Sequence, residues 1–319
     1  MLTALPIRLN DFDVDIRPCP ICGSTDFTHL AHHDRNLLGI TTVGCNGCGL
    51  VQTNPRPSSV GLDRFYRDHY RLFYQGATAP DQGYIASLNK EVRLAYTARF
   101  VADVIGVAPG GVVLDFGCGE GSLFAALRKA GFTGPFYGVE LNASFGEYAS
   151  RFGDATVSNS IRSREPVDLA VVNHVLEHLD DPISSLREIG RLIKPGGHIY
   201  IDVPDAEEYD KIYDLHIAHI YHFTERTLRC LVERAGFFVE RIEKHQPPHH
   251  PRSIRLLAKP MVTARPERLL EAGNEKRAWT AVQSAGRYRN TVRLRLSRIG
   301  WLRKLYLAVV RRLGNSTLA

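Results

Sequence analysis

Ten residues, Val112-Val-Leu-Asp-Phe-Gly-Cys-Gly-Glu-Gly121, limit the folds open to this chain more than any other segment. An apolar run suited to a buried parallel strand ends at Asp115 and breaks into Gly117, Gly119 and Gly121. Residues 122–130 then carry a helical pattern that stops at Gly131, a residue type favoured just past a helix end. Glycines in a strand-to-helix turn let a ligand approach the backbone closely, and the unpaired amides of the first helical turn face it. A second apolar run, 135–139, ends in Glu140, nineteen residues beyond Gly121. A carboxylate there can accept hydrogen bonds from both hydroxyls of a ribose. The same geometry serves dinucleotides, so the glycines alone do not name the ligand.

The pattern continues downstream. Residues 167–173 form another buried apolar run, followed by His174-Val-Leu-Glu-His178-Leu-Asp-Asp-Pro182. A helical segment over 183–193 leads into Lys194-Pro-Gly-Gly197 and a further strand, 198–203. Strands alternating with helices predict a parallel sheet with crossover helices. The acid stands two positions before the first glycine, giving Asp-x-Gly-x-Gly-x-Gly instead of Gly-x-Gly-x-x-Gly. In this the chain resembles class I S-adenosylmethionine-dependent methyltransferases over roughly residues 90–260. The resemblance implies an α/β, Rossmann-like fold with a seven-stranded sheet. It also implies a cofactor site formed by Asp115, Gly117, Gly119, Gly121, Glu140 and Asn173, with the glycines against the methionine part and Glu140 on the ribose.

Four of the six cysteines form two matched knuckles, Cys19-Pro-Ile-Cys22 and Cys45-Asn-Gly-Cys48, separated by 22 residues. Each knuckle offers two thiolates, and Gly23 and Gly49 permit the tight turn that folds amides toward sulfur. The spacing points to one tetrahedral zinc ion in a ribbon, structural because four thiolates leave no open position. A disulfide pair or a redox dithiol is the alternative. No feature suggests an oxidising compartment, and a redox pair does not need two knuckles. Cys118 and Cys230 read as inert thiols. The second knuckle continues as Cys48-Gly-Leu-Val-Gln-Thr-Asn-Pro-Arg-Pro57, with Arg64-Phe-Tyr66 and Tyr70 beyond. This stretch resembles the zinc-binding segment of sugar C-methyltransferases and relatives from polysaccharide and antibiotic pathways. The likeness implies that the segment helps close the acceptor cleft, with Tyr66 and Tyr70 nearby. Tyrosines packing the ribbon onto the main domain are the alternative.

The net charge of +6 is unevenly spread. From residue 261 onward thirteen Lys or Arg face three acids, so the preceding chain is mildly acidic. Val292, Leu296, Ile299, Leu302, Tyr306, Val309 and Leu313 step by three or four, and basic residues occupy much of the remainder. This is a basic amphipathic helix, interrupted by Gly300, that could dock on its own protein, a second copy, an anionic membrane or nucleic acid. The expected organisation is a zinc-binding segment and linker over 1–78, a methyltransferase domain over 79–260 and this tail over 261–319. No run approaches a membrane span, Asp11, Asp13 and Asp15 interrupt any export pattern, and the thiols fit a reducing cytoplasm.

The chemistry is expected after the fifth strand, where His216-Ile-Ala-His219-Ile-Tyr-His222 places three histidines in seven positions. A sulfonium methyl is already electrophilic, so the protein must align the acceptor and, for an oxygen or carbon acceptor, remove a proton. Histidine suits that task near neutral pH. His219, His216, His222 and His178 are the candidate catalytic residues. Sugar C-methyltransferases carry Tyr-x-Glu-His here; this chain has His216 for the tyrosine and Ala218 for the glutamate, keeping only His219. Their His-Gly-Gly-Ser-x-Arg pattern falls on His250-Pro-Arg-Ser253-Ile-Arg255, which differs in its middle. Those losses favour methyl transfer to a hydroxyl of a nucleotide sugar or glycan precursor, which needs one positioned base, over transfer to carbon. An rRNA base methyltransferase with a zinc finger is the rival enzyme. It is disfavoured because no Asn/Asp-Pro-Pro-aromatic turn follows residue 173. A silent cofactor-binding scaffold is the non-enzymatic alternative.

Overall fold

In a computed structural model of the protein, the described residues are 13–35, 39–71, 79–88, 90–152, 155–161, 165–210, 214–261 and 276–287. The chain begins with β1 (Val14–Asp15), β2 (Phe27–Ala31), β3 (Thr42–Cys45), β4 (Val51–Thr53) and β5 (Arg56–Pro57). β2, β3 and β4 form an antiparallel meander, and β1 pairs with β5. Helix α1 (Ser59–Arg64) starts where the Ser58 side chain accepts the Gly61 amide, and it runs on as a wider helical turn to His69. Helices α2 (Gln82–Ser87) and α3 (Glu91–Phe100) follow. Asp81 caps α2, its side chain accepting the Tyr84 amide.

The main sheet then builds up. β6 (Val113–Phe116), α4 (Ser122–Lys129), β7 (Phe136–Val139), α5 (Ala143–Ala149) and β8 (Ala155–Ser158) form its first half. β9 (Val167–Asn173), α6 (Pro182–Leu192) and β10 (Ile193–Pro204) continue it. A two-residue strand, β11 (Tyr221–His222), precedes α7 (Glu225–Arg234), β12 (Phe237–His245) and β13 (Ser253–Pro260), and α8 (Lys276–Ala285) comes last. The seven strands lie in the order β12-β13-β10-β9-β6-β7-β8. The five from β10 to β8 are parallel, and β13 runs antiparallel between β10 and β12. This is the mostly parallel, Rossmann-like sheet that the alternating pattern requires.

The reason lies in the residues. Leu169, Ala170, Val171 and Val172 of β9 are wholly buried, as expected of a central strand covered on both faces. α6 starts at Asp181-Pro182, where the carboxylate accepts the Ser184 amide at 3.0 Å and proline fills the first helical position. α7 opens on a reciprocal box between Thr224 and Thr227. The turn at 194–197 is a bulge within β10, where the pairing with β9 shifts register.

β11 joins the cysteine-bearing meander, not the main sheet, giving the order β11-β4-β3-β2. The N-terminal unit is thereby stitched to a segment 170 residues downstream. α8 packs on the same unit: Ala278, Val282 and Ala285 are buried with Leu30, Ala31 and Val51. The Trp279 indole N–H donates to the Gly49 carbonyl at 3.0 Å. Part of the basic tail therefore docks on its own protein. The amphipathic stretch read over 292–313 lies outside the described residues. Among the described residues no helix is long and apolar enough to cross a membrane.

Candidate functional site

Pairing of β6 with β7 and β9, and of β9 with β10, brings the carboxyl ends of four parallel strands to one edge. Ligands of open α/β sheets bind outside such an edge. A cavity of about 650 Å³ lies there, lined at one end by Asp115, Gly117, Gly119, Glu140 and Asn173. Its other end is lined by Tyr66, Tyr70, His174, Glu177, His178, His216, His219 and His250.

The glycine turn is locked by its surroundings. Gly117 has φ +82°, and a Cβ there would stand 2.5 Å from Val175 Cγ2. Gly121, at φ +80°, has no room either, because a Cβ would meet Ala149 Cα at 3.0 Å. Gly121 does not line the cavity; it lies against Ala149 at the end of α5. Glu140 Oε2 accepts the Gly119 amide at 3.1 Å and Oε1 accepts the Asn142 amide at 2.9 Å, so the acid is held against the turn. Arg71 Nη2 lies 2.7 Å from the same Oε2. Asp115 is buried, and burial, with Glu120 and Glu140 nearby, pushes its carboxyl up to about 7. Cys118 is buried too, and burial pushes its thiol up, away from reactivity.

At the other end, Glu177 and His178 sit on a single helical turn after β9, while His216 and His219 precede β11. His178 Nδ1 lies 2.8 Å from the Ala218 carbonyl, and His219 Nδ1 lies 3.0 Å from the Asp214 carbonyl. Carbonyls only accept, so these contacts assign the protons to Nδ1 and leave the Nε2 lone pairs unprotonated. Burial lowers the pKa of His178, and that of His219 and His216 well below the usual histidine value, which keeps all three neutral at pH 7. The Tyr66 hydroxyl donates to the Ala218 carbonyl at 3.0 Å and packs edge-on to His178. Tyr70 packs against both.

His222 is set apart from the other three histidines. It does not line the cavity: as part of β11 it faces Tyr209, whose hydroxyl is 3.1 Å from Nδ1, and burial pushes its pKa down to about 3. Two residues that sequence reasoning did not single out belong to the site. His174 holds φ 55°, a left-handed conformation uncommon outside glycine, and its amide donates to the Asp202 carbonyl at 2.8 Å. Glu177 is 1% exposed, neither carboxylate oxygen has a hydrogen-bond partner, and burial pushes it up to about 7. The only sequence signal was an acid placed between two residues of a buried turn.

The four knuckle cysteines form a second centre. Their sulfurs all lie within 4.8 Å of one another, with Cys19 and Cys48, and Cys22 and Cys45, 3.4 Å apart. The Gly23 amide donates to the Cys19 carbonyl and the Gly49 amide to the Cys45 carbonyl, both at 2.8 Å, which closes each knuckle. Four converging thiols of this type suit one tetrahedral zinc ion, whose sulfur ligands stand about 3.8 Å apart at bond lengths of about 2.3 Å.

Residues 89–242 match the protein-family model described as a methyltransferase domain. The chain carries a methyltransferase domain. Its mostly parallel sheet of seven strands is the Rossmann-like methyltransferase fold. The domain is 33% identical over 109 residues to a ubiquinone biosynthesis O-methyltransferase of Alkalilimnicola ehrlichii, a match covering 31% of this chain and 44% of that protein. An uncharacterized 37.1 kDa protein in transposon TN4556 of Streptomyces fradiae is 25% identical over 169 residues, 49% of each chain. The chain thus spans about half the length of the curated relatives it matches. Among solved structures, an S-adenosylmethionine-dependent methyltransferase from Aquifex aeolicus aligns with TM-score 0.45 and 23% identity, covering 56% of this chain and 98% of that one.

Proposed function

We propose that the chain transfers the methyl group of S-adenosylmethionine to a hydroxyl of a small polar acceptor, with a nucleotide sugar or glycan precursor as the acceptor class. One observation carries this reading: a single cavity joins the glycine turn and Glu140 to a cluster of neutral histidines. Asp115, Gly117, Gly119, Glu140 and Asn173 are the residues that would hold the cofactor, which supplies an electrophilic methyl group. Glu140 is pre-aimed, its two oxygens fixed by the Gly119 and Asn142 amides, so ribose hydroxyls need not order it.

The acceptor oxygen takes the methyl carbon as the carbon–sulfur bond breaks, and its proton goes to a cavity imidazole. His178, His216 and His219 line the cavity, and the Nε2 lone pairs of His178 and His219 are placed to receive it. An oxygen acceptor agrees with the name of the Alkalilimnicola relative. The sugar assignment rests on the resemblance of the cysteine segment and on Tyr66 and Tyr70 at the acceptor end of the cavity. The test is release of S-adenosylhomocysteine from purified, zinc-replete protein offered a panel of nucleotide sugars. Turnover with a member of that panel is the expected result; turnover only with RNA, or with none of them while a phenolic acceptor is methylated, would overturn the sugar assignment.

A further inference from the structure

We propose that Glu177, His178 and His219 bind a divalent transition-metal ion at the acceptor end of the cavity, and that this ion holds the oxygen to be methylated. This deepens the reading of the chain as a hydroxyl methyltransferase, and its catalytic part rests on that reading. The three ligand atoms lie within 4.8 Å of one another. His178 Nε2 is 3.8 Å and His219 Nε2 is 3.9 Å from the same oxygen, Glu177 Oε1. Ligands about 2.1 Å from a shared ion stand roughly 3.0 to 3.4 Å apart, so each imidazole needs to approach Glu177 Oε1 by about half an ångström.

Three independent features prepare these atoms for a cation. First, each imidazole donates its Nδ1 proton to a main-chain carbonyl, of Ala218 for His178 and of Asp214 for His219. That arrangement fixes the tautomer in which Nε2 is a lone-pair donor, the one metal-binding histidines use. Second, Glu177 is buried with both oxygens lacking a hydrogen-bond partner. A carboxylate in that position is costly unless a proton or a cation completes it. Third, the two ligand-bearing segments are tied to each other: the Ile220 amide donates to the Glu177 carbonyl at 2.8 Å. Two imidazoles and one carboxylate suit zinc, manganese, iron or cobalt, and three protein ligands leave positions facing the cavity.

An ion there changes the proton chemistry. An acceptor hydroxyl, or a vicinal pair of hydroxyls, coordinates the ion, which lowers the pKa of the bound hydroxyl. The O–H bond breaks and its proton passes to solvent through the cavity. The oxygen keeps the electron pair, forms the bond to the methyl carbon, and the carbon–sulfur pair leaves with S-adenosylhomocysteine. No oxidant or reductant is needed.

The experiment is an electron paramagnetic resonance titration of the full, zinc-replete chain with Mn²⁺, which thiolate sites disfavour. The wild type is expected to bind one Mn²⁺ per chain. Glu177→Gln and His219→Asn are expected to weaken it by at least about a hundredfold, whereas His198→Asn, which removes a surface histidine paired with Glu240, leaves it unchanged. Calorimetric binding of S-adenosylhomocysteine, at the opposite end of the cavity, should be retained in all variants and shows that they are folded. Wild-type protein that binds S-adenosylhomocysteine but takes up neither Mn²⁺ nor Co²⁺ beyond the thiolate ion would overturn the site. Mn²⁺ uptake equal in wild type and Glu177→Gln would overturn it as well. Mn²⁺ binding lost in the variants, with no hydroxyl acceptor ever methylated, would leave the metal site standing and sink the hydroxyl reading instead.

Discussion

Thr53 donates its hydroxyl proton to the main-chain carbonyl of His219 at 3.1 Å, so a residue of the cysteine-bearing sheet holds a cavity histidine in place. The Thr53 amide adds a second bond, to the Ile220 carbonyl at 2.8 Å. Thr53→Val keeps shape and loses the side-chain bond, leaving the buried carbonyl one partner short. Stability should fall by about 1 kcal/mol. Methyl transfer should fall several-fold while the dissociation constant for S-adenosylhomocysteine stays within about twofold, because Thr53 bonds to the histidine segment and to no residue of the glycine turn. Equal losses in both would show that Thr53 supports the fold alone.

The same linkage predicts that the thiolate ion matters for catalysis without touching the reactants. Cys48→Ser is expected to lose the zinc, measured by elemental analysis as a fall from about one ion per chain, and to lower the melting temperature. Transfer should fall with it, since β4 loses the unit that presents it to β11 and therefore to His219. A variant without zinc that melts and turns over like the wild type would contradict this.

Arg56 is a second tie between the two parts. Its guanidinium, 4% exposed, donates to the Tyr221 hydroxyl at 2.9 Å and to the Asp180 carbonyl and carboxylate at 2.9 and 3.0 Å. Arg56→Leu removes the charge and strands three partners, which should cost roughly 2 to 4 kcal/mol in urea denaturation. Arg56→Lys should recover only part, since one ammonium cannot reproduce the fork. A loss under about 0.5 kcal/mol would show that the tie is not structural.

His222 gives a pH prediction. Its folded pKa is pushed down to about 3 by burial, while the unfolded side chain titrates near the ordinary value of 6.5. Below about pH 6.5 the unfolded state takes a proton that the folded state refuses, so stability is complete above that pH and falls as pH drops toward 3. At pH 5 the loss from this residue alone is about 2 kcal/mol. His222→Gln should flatten the stability curve between pH 7 and pH 5. Parallel curves for wild type and variant would refute the assignment.

The sheet was legible because its strands leave little choice. Leu169 to Val172 are continuous apolar residues, too short for a helix and bounded by Asp168 and Asn173, and they form the central strand. The helical run read over 183–193 corresponds to α6, which starts at Asp181-Pro182, just ahead of that run. The cysteine spacing likewise foretold the convergence of four sulfurs. The histidines of 216–222 were harder. No periodicity orders a loop, and the strand that buries His222 has two residues and pairs with Val51 and Gln52 across the chain. Glu177 was hidden for a related reason. An acid after a strand usually reads as solvated, and only the return of residues 216–220 over the turn removes it from water. Arg71 against Glu140 is equally non-local.

The central claim is that the glycine turn and Glu140 hold an adenosyl cofactor. Isothermal calorimetry of zinc-replete protein with S-adenosylhomocysteine, for wild type and Glu140→Ala, tests it most directly. The account predicts one site per chain and binding at least about tenfold weaker in the variant, the loss expected when two hydrogen bonds to a carboxylate disappear. No binding by the wild type, or equal binding by both proteins, would contradict it.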